Sequence, residues 1–326
     1  MRILRWLLFI VSFFGILYFI GPDPDTPTLS KELPFIAEGI NLDSLVHTNE
    51  SKHQLKPNNQ ARIIWADSTH QITDYAIVYL HGFSASQMEG APVHENIAKK
   101  FHCNLYLARL AEHGIDTTDD MINLTADNYW KSAQLAYAIG KKLGKKVILM
   151  STSTGGTLSL QLASYYPEIA GLIMYSPNIA INNPTAPLLN NPWGLQIARL
   201  VMHGNYMNIP YKNEEYPKYW NTHYRLEATI ALQNLLEATM TKKTFNQIHQ
   251  PALALYYYKD EQHQDNVVKV SAIKNMMNSI ATPINLKTIL AIPNAESHVL
   301  ASPIVSKDIV SVETATEQFI KEKIIK

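Results

Sequence analysis

Cysteine is nearly absent: Cys103 is the only one in 326 residues. An intramolecular disulfide and a zinc site built on several thiolates are thereby excluded. Surplus charge is absent too, since 28 basic and 28 acidic residues give a formal net charge of zero. Without a basic run, no nucleic-acid partner is expected, because such binding rests on Lys and Arg neutralising phosphates. The 12 histidines include no H-E-x-x-H pair, so no zinc-hydrolase motif is present, and no metal or organic cofactor is expected. No internal repeat is visible. Apolar residues are plentiful instead, 46% hydrophobic against 17% charged, which suits a large core and not a disordered chain. The length allows one large α/β domain or two small ones.

Residues 1–21 read as an N-terminal membrane anchor or signal segment. Arg2 and Arg5 precede an uncharged stretch from Trp6 to Pro22. As a helix this stretch would be roughly 25 Å long, and Trp6 and Tyr18 could sit at its interfaces. Its apolar part, Trp6 to Ile20, is long for a signal-peptide core and short of the roughly 20 residues of a standard span. No small-x-small cleavage site stands out near Gly21, which favours an uncleaved anchor over a cleaved signal peptide. The positive-inside rule keeps Arg2 and Arg5 in the cytoplasm and puts the rest of the chain on the other side, periplasmic or extracellular. If the segment is cleaved, the protein is secreted. Residues 22–58 read as a linker and N-terminal extension, opening on a stiff Pro/Asp stretch over 22–33.

From residue 59 onward strands and helices alternate. Ala61–Ala66, Tyr75–Leu80, Leu105–Leu107, Val147–Met150, Gly171–Tyr175, Ala252–Tyr258 and Leu286–Ile292 are short apolar or β-branched runs that read as strands. Ala91–Phe101, Asp127–Leu143, Leu158–Tyr165, Leu226–Met240, Val267–Ile280 and Val312–Ile325 read as helices. Near-continuous apolar strands between helices are the pattern of a mostly parallel, doubly wound sheet, so the fold class is α/β. One stretch breaks the rhythm. Asn178–Tyr224 is rich in Asn, Pro, Tyr and Trp, and no strand is legible in it. Long insertions of this kind are usually functional, and its apolar groups (Leu188, Leu189, Trp193, Leu195, Ile197, Leu200) favour a cap over a pocket.

The chemistry concentrates at Ser153. The run Val147-Ile-Leu-Met-Ser151-Thr-Ser153-Thr-Gly155-Gly156 passes from a buried strand into a helix. It reads as G-x-S-x-G with Ser151 in place of the first glycine. In such an elbow the serine occupies a strained turn that lifts its hydroxyl above the sheet, and the positions two away on either side must be small. A Ser/Thr-rich helix N-cap is the alternative. A second strand ends in His81-Gly82-Phe83-Ser84. Here Gly82 lets the chain turn so that the Phe83 amide faces the pocket, and Thr154 supplies a second amide. Losing one such donor to a tetrahedral oxyanion costs about 3–4 kcal/mol of transition-state stabilisation. His81 reads as a loop-orienting residue rather than a base, and Arg109, Glu112 and His113 as loop-stabilising groups.

The order His81-Gly82-Phe83, Arg109-Leu-Ala-Glu-His113-Gly114, the elbow at Ser153, an acidic loop and the late His298 resembles the α/β-hydrolase family. Within it, the likeness is to monoacylglycerol-lipase and serine-aminopeptidase-like esterases, over about residues 60–326. The resemblance implies an α/β-hydrolase domain over 59–326, with a cap at about 178–225 inserted after the sixth core strand. It also implies the chain order nucleophile, acid, histidine. His298, in the polar loop after Leu286–Ile292, fits the base. Asp265, followed by Asn266-Val267-Val268, matches the family's acid position, and Asp260 is its rival.

The expectation is a serine hydrolase of hydrophobic carboxylic esters, monoacylglycerols among them, working through an acyl-enzyme. Ser153, Asp265 and His298 would be catalytic, and the Phe83 and Thr154 amides would form the oxyanion hole. A peptidase or amidase of the same fold and a non-catalytic envelope binding protein are the alternatives.

Overall fold

The computed structural model describes residues 2–211 and 213–325; Met1, Lys212 and Lys326 fall outside the described residues. The N-terminal half runs α1 (Arg2–Phe19), α2 (Leu42–Glu50), β1 (Arg62–Ile64), β2 (Thr73–Leu80), α3 (Val93–Lys100), β3 (Asn104–Leu107), α4 (Ala126–Leu143), β4 (Gly144–Thr152), α5 (Thr154–Tyr165) and β5 (Gly171–Tyr175). After it come α6 (Gly194–Val201), β6 (Tyr206–Asn208), α7 (Tyr216–Tyr219), β7 (His223–Arg225), α8 (Glu227–Thr239), α9 (Lys242–Phe245), β8 (Ala252–Tyr256), α10 (Val270–Ser279), β9 (Lys287–Ala291) and α11 (Ile309–Phe319).

Seven strands form one sheet in the order β1-β3-β2-β4-β5-β8-β9. Every neighbouring pair is parallel except β1 with β3. The continuous apolar runs follow from coverage of both faces. Side chains alternate across a strand, so Ala76, Val78, Leu80, Val147 and Leu149 join one core, which packs on α4, α5, α8 and α10. Ile77, Tyr79, Ile148, Met150, Ile173 and Tyr175 join the other, with α3 and α11. A fully buried Leu or Ile contributes roughly 1.5–3 kcal/mol, so each central strand has a stake in both layers. The helix α4 starts on a capping box, in which Thr125 Oγ1 accepts from the Asn128 amide and the Asn128 side chain accepts from the Thr125 amide.

The expected α/β class and parallel sheet are found, but the insertion is placed differently. The cap leaves the chain after β5, the fifth sheet strand in sequence order, not after the sixth. The reason lies upstream. Only β1 precedes the parallel strands, because residues before it form α2 and an extended segment rather than another strand. Within the cap the chain also forms an antiparallel pair, β6 with β7, where no strand was legible. Three-residue strands are too short to show an alternation.

Residues 22–33 do not hang as a free linker. The amides of Thr28 and Leu29 both donate to Asp127 Oδ1 at 3.0 Å, at the start of α4. Trp130 Nε1 and Gln134 Nε2 donate to the Ser30 carbonyl, and the Tyr166 hydroxyl donates to the Lys31 carbonyl. The segment is a strap bound across the domain. At its start α1 meets the cap. Trp193 Nε1 donates to the Leu17 carbonyl at 2.9 Å, and the Trp193 amide to the Pro22 carbonyl at 3.0 Å. Its indole packs against Gly21, where an added Cβ would fall 2.1 Å from Nε1. At 1.5 Å per residue, the 18 residues of α1 span about 27 Å, just under a bilayer core of about 30 Å. Among the described residues no helix is long and apolar enough to cross a membrane.

Candidate active site

Loops leaving the C-terminal ends of β2, β4, β8 and β9 converge at one edge of the sheet, where α/β sheets bind ligands. The end of β4 is the sharpest turn. Ser153 has φ 52° and ψ −119°, a conformation unfavourable for a side-chain-bearing residue. Backbone bonds on both sides hold it there. The Ser153 amide donates to the Tyr175 carbonyl, and the Ser153 carbonyl accepts from Gly156 and Asn178. Gly155 has no room for a side chain, since a Cβ would sit 2.0 Å from the Leu80 carbonyl oxygen. Ser151 fits the tight position before the turn by burying its hydroxyl against the Ile173 carbonyl at 3.3 Å.

The loop after β2 is tied down around one free amide. Gly82 N–H donates to Glu89 Oε2 at 2.5 Å, and Ser84 N–H donates to His113 Nε2 at 3.0 Å. Between them, the Phe83 amide has no partner among the described residues, and neither does the Thr154 amide at the start of α5. Glycine is required at 82 by space rather than by a left-handed turn. A Cβ would lie 2.9 Å from both Glu89 Oε2 and Ser153 Cβ, and the positive φ of the loop falls on Ser84.

Two neutral imidazoles brace this loop. His81 Nε2 accepts from the Leu110 amide, which leaves Nδ1 to donate to the Gly82 carbonyl. His113 Nε2 accepts from Ser84, so its Nδ1 donates to the Ala111 carbonyl at 2.7 Å. Burial pushes His81 down to about 4 and, with His81 beside it, His113 well below its ordinary value. Arg109 pairs with Glu50 of α2 at 2.8 Å and donates to the His113 carbonyl, so its partner is not Glu112.

His298 and Asp265 meet although 33 positions separate them. His298 Nδ1 lies 2.7 Å from Asp265 Oδ2, while Asp265 Oδ1 accepts from the amides of Val267 and Val268. Asp260 is elsewhere, exposed and bonded to His263. Burial alone would raise the Asp265 carboxyl. The facing His298 charge, its hydrogen bond and the two amides outweigh that and hold it below the usual range. Burial likewise opposes protonation of His298, but Asp265, with a smaller part from Glu89, keeps its pKa above the ordinary imidazole value. His298 Nε2 is buried without a hydrogen-bond partner among the described residues.

Ser153, His298, Phe83 and Thr154 all line one cavity of about 590 Å³ between the sheet edge and the cap. From the cap, Leu188, Ile197, Val201, Met207 and Tyr216 make its walls apolar. That volume lies within the range of small-molecule sites. One lining residue escaped the sequence reading. Glu89 follows the His81–Ser84 loop in a short turn that carries no motif, and only the folded chain reveals it beside Ser153.

No protein-family model matches the chain. A curated relative, the thermostable monoacylglycerol lipase of Bacillus sp. (strain H-257), is 30% identical over 108 residues, which is 33% of this chain and 42% of that lipase. The chain thus matches under half the length of that enzyme. Among solved structures, one reported for the metagenome-derived lipolytic enzymes LipS and LipT superposes with a TM-score of 0.64 at 17% identity, over 82% of this chain and 99% of the other. The monoacylglycerol lipase of Paleococcus ferrophilus gives 0.58 at 14% identity, over 80% and 98%. Sheet order, elbow and these superpositions agree: the chain has the α/β-hydrolase fold.

Proposed function

We propose that the protein is a serine hydrolase that cleaves hydrophobic carboxylic esters through an acyl-enzyme. The observation that carries this reading is the His298–Asp265 contact at 2.7 Å beside a strained Ser153, opening on an apolar cavity with two amides that are unpaired among the described residues. Ser153 Oγ attacks the acyl carbonyl carbon and its proton passes to His298 Nε2. The oxyanion accepts from the Phe83 and Thr154 amides. Collapse breaks the ester C–O bond, and His298 returns the proton to the departing alcohol. Water then repeats the sequence and releases the acid. Asp265 holds the imidazole with its proton on Nδ1 and stabilises the cation.

The apolar walls support an acyl chain as the part of the substrate bound there, and the likeness to a monoacylglycerol lipase supports monoacylglycerols within that class. A panel of p-nitrophenyl esters, monoacylglycerols and aminoacyl anilides tests it. Ester turnover at least about 100-fold above anilide turnover is expected. The reverse preference makes the protein an amidase, and no turnover of either makes it a binding scaffold.

The reading extends to location. The domain lies on the non-cytoplasmic side, held against a membrane by the apolar surface of α1 and of the cap beside it. Trp6, Leu7, Leu8, Phe9, Phe13, Phe14, Ile16 and Phe19 of α1 are all more than half exposed, and so are Leu200 and Val201 on the cap. Full-length protein should float with phospholipid vesicles, and a variant starting at residue 22 should stay behind. Equal recovery of both in the unbound fraction rejects the membrane role.

A further inference from the structure

The reaction above leaves Glu89 without a task. The residue is 2% exposed, yet it lines the cavity with Ser153 and His298. A carboxyl is expensive to bury unless a cation accompanies it, and no Lys or Arg acts on this one among the described residues. Its contacts are the Gly82 amide at 2.5 Å and, more distantly, the Trp220 indole N–H at 3.4 Å, which reaches it from the cap. We propose that Glu89 is a positioning residue of the hydrolytic site, fixing the Phe83 loop through Gly82 and steadying the His298 imidazolium by its charge.

This inference rests on the serine-hydrolase reading. Three phenols face Glu89: Tyr79 from β2, Tyr129 from α4 and Tyr216 from the cap. Burial first, and Glu89 second, raise all three, so they stay neutral where the enzyme works. His298 is therefore the neighbour whose charge responds to Glu89. Burial pushes the Glu89 carboxyl up to about 7, against the opposing pull of Gly82, His298 and Trp220. Its charge accordingly develops across the neutral range. An ionised Glu89 stabilises the imidazolium, which aids proton transfer from Ser153. It also raises the pH at which free His298 loses its proton.

Glu89→Gln keeps an oxygen for the Gly82 amide and removes the charge. Its plateau kcat should fall about tenfold with KM within about twofold, on a p-nitrophenyl ester and a monoacylglycerol alike. The acid limb of kcat/KM should move about half a pH unit lower, because His298 loses a neighbouring anion. Glu89→Leu, which also frees Gly82, should lose about 100-fold in kcat. A rate loss with an unmoved acid limb makes Glu89 merely structural. A KM change confined to the glycerol ester makes it a substrate contact. Either result overturns the proposal.

A measurement on the unmodified protein needs neither turnover nor a variant. Labelling His carbonyls with 13C and Gly amides with 15N selects the His–Gly pairs at Gly82, Gly114 and Gly204. The Gly82 signal, told from the other two by its unique Phe83 neighbour, should titrate with a midpoint near 7 as Glu89 ionises, and a flat Gly82 signal overturns the proposal. A titrating Gly82 signal in a protein that hydrolyses no ester instead rejects the serine-hydrolase reading and leaves the Glu89–Gly82 contact standing.

Discussion

Ser153→Ala should lower kcat for ester hydrolysis by about 10⁴- to 10⁶-fold and abolish labelling by a fluorophosphonate probe. What remains comes from the amides and from substrate binding, which do not need the hydroxyl. Stability should change by less than about 0.5 kcal/mol. The strained backbone at 153 is held by Tyr175, Gly156 and Asn178 through main-chain atoms, and the Ser153 hydroxyl bonds to no described residue. Nearby hydroxyls cannot take over. Ser151 Oγ is buried against the Ile173 carbonyl, and Thr152 Oγ1 is bonded to the Tyr79 hydroxyl at 2.8 Å. Retained labelling in a folded Ser153→Ala protein would remove the nucleophile assignment, and with it the hydrolytic reading.

The parts of this site that the sequence discloses are those with a local steric rule. The elbow is legible because Ser151 and Gly155 flank Ser153 at the positions where strand and helix backbones nearly touch. The sheet is legible because its strands are apolar on both faces. Glu89 obeys no such rule. A glutamate in a polar turn looks like any solvated carboxylate until the fold closes around it. The docking of the Pro/Asp segment is illegible in the sequence for a related reason. Its backbone is satisfied by Asp127, Trp130, Gln134 and Tyr166, about 100 or more positions away, and composition carries no trace of such partners. In the sequence Gly82 reads as a turn residue, whereas its requirement is space between Glu89 and Ser153.

Asp265→Asn should reduce kcat by about 10⁴-fold, and Asp260→Asn should leave it within about twofold. In the first variant, the two amides of Val267 and Val268 demand an oxygen on one side of residue 265, and His298 Nδ1 lies on the other. Only one orientation of the asparagine meets both demands, with Oδ1 towards the amides and the NH₂ towards the ring. That NH₂ donates to Nδ1 and drives the ring proton to Nε2, the atom that must be free to accept from Ser153. The residual activity should also shift with pH. Asp265 and His298 now hold each other in their charged forms, the carboxyl below and the imidazole above its ordinary range. Their mutual stabilisation is therefore present only between those two values: it is lost as acid protonates Asp265 and as base deprotonates His298. Without the carboxylate the His298 pKa falls, so the acid limb of the surviving kcat/KM should move to lower pH. Asp260→Asn should leave that limb in place, because among the described residues the Asp260 side chain bonds only within its own exposed loop, at Gln262 and His263. A loss of rate and a moved limb in Asp260→Asn, with Asp265→Asn unaffected, would require His298 to take its acid from the other loop position during turnover.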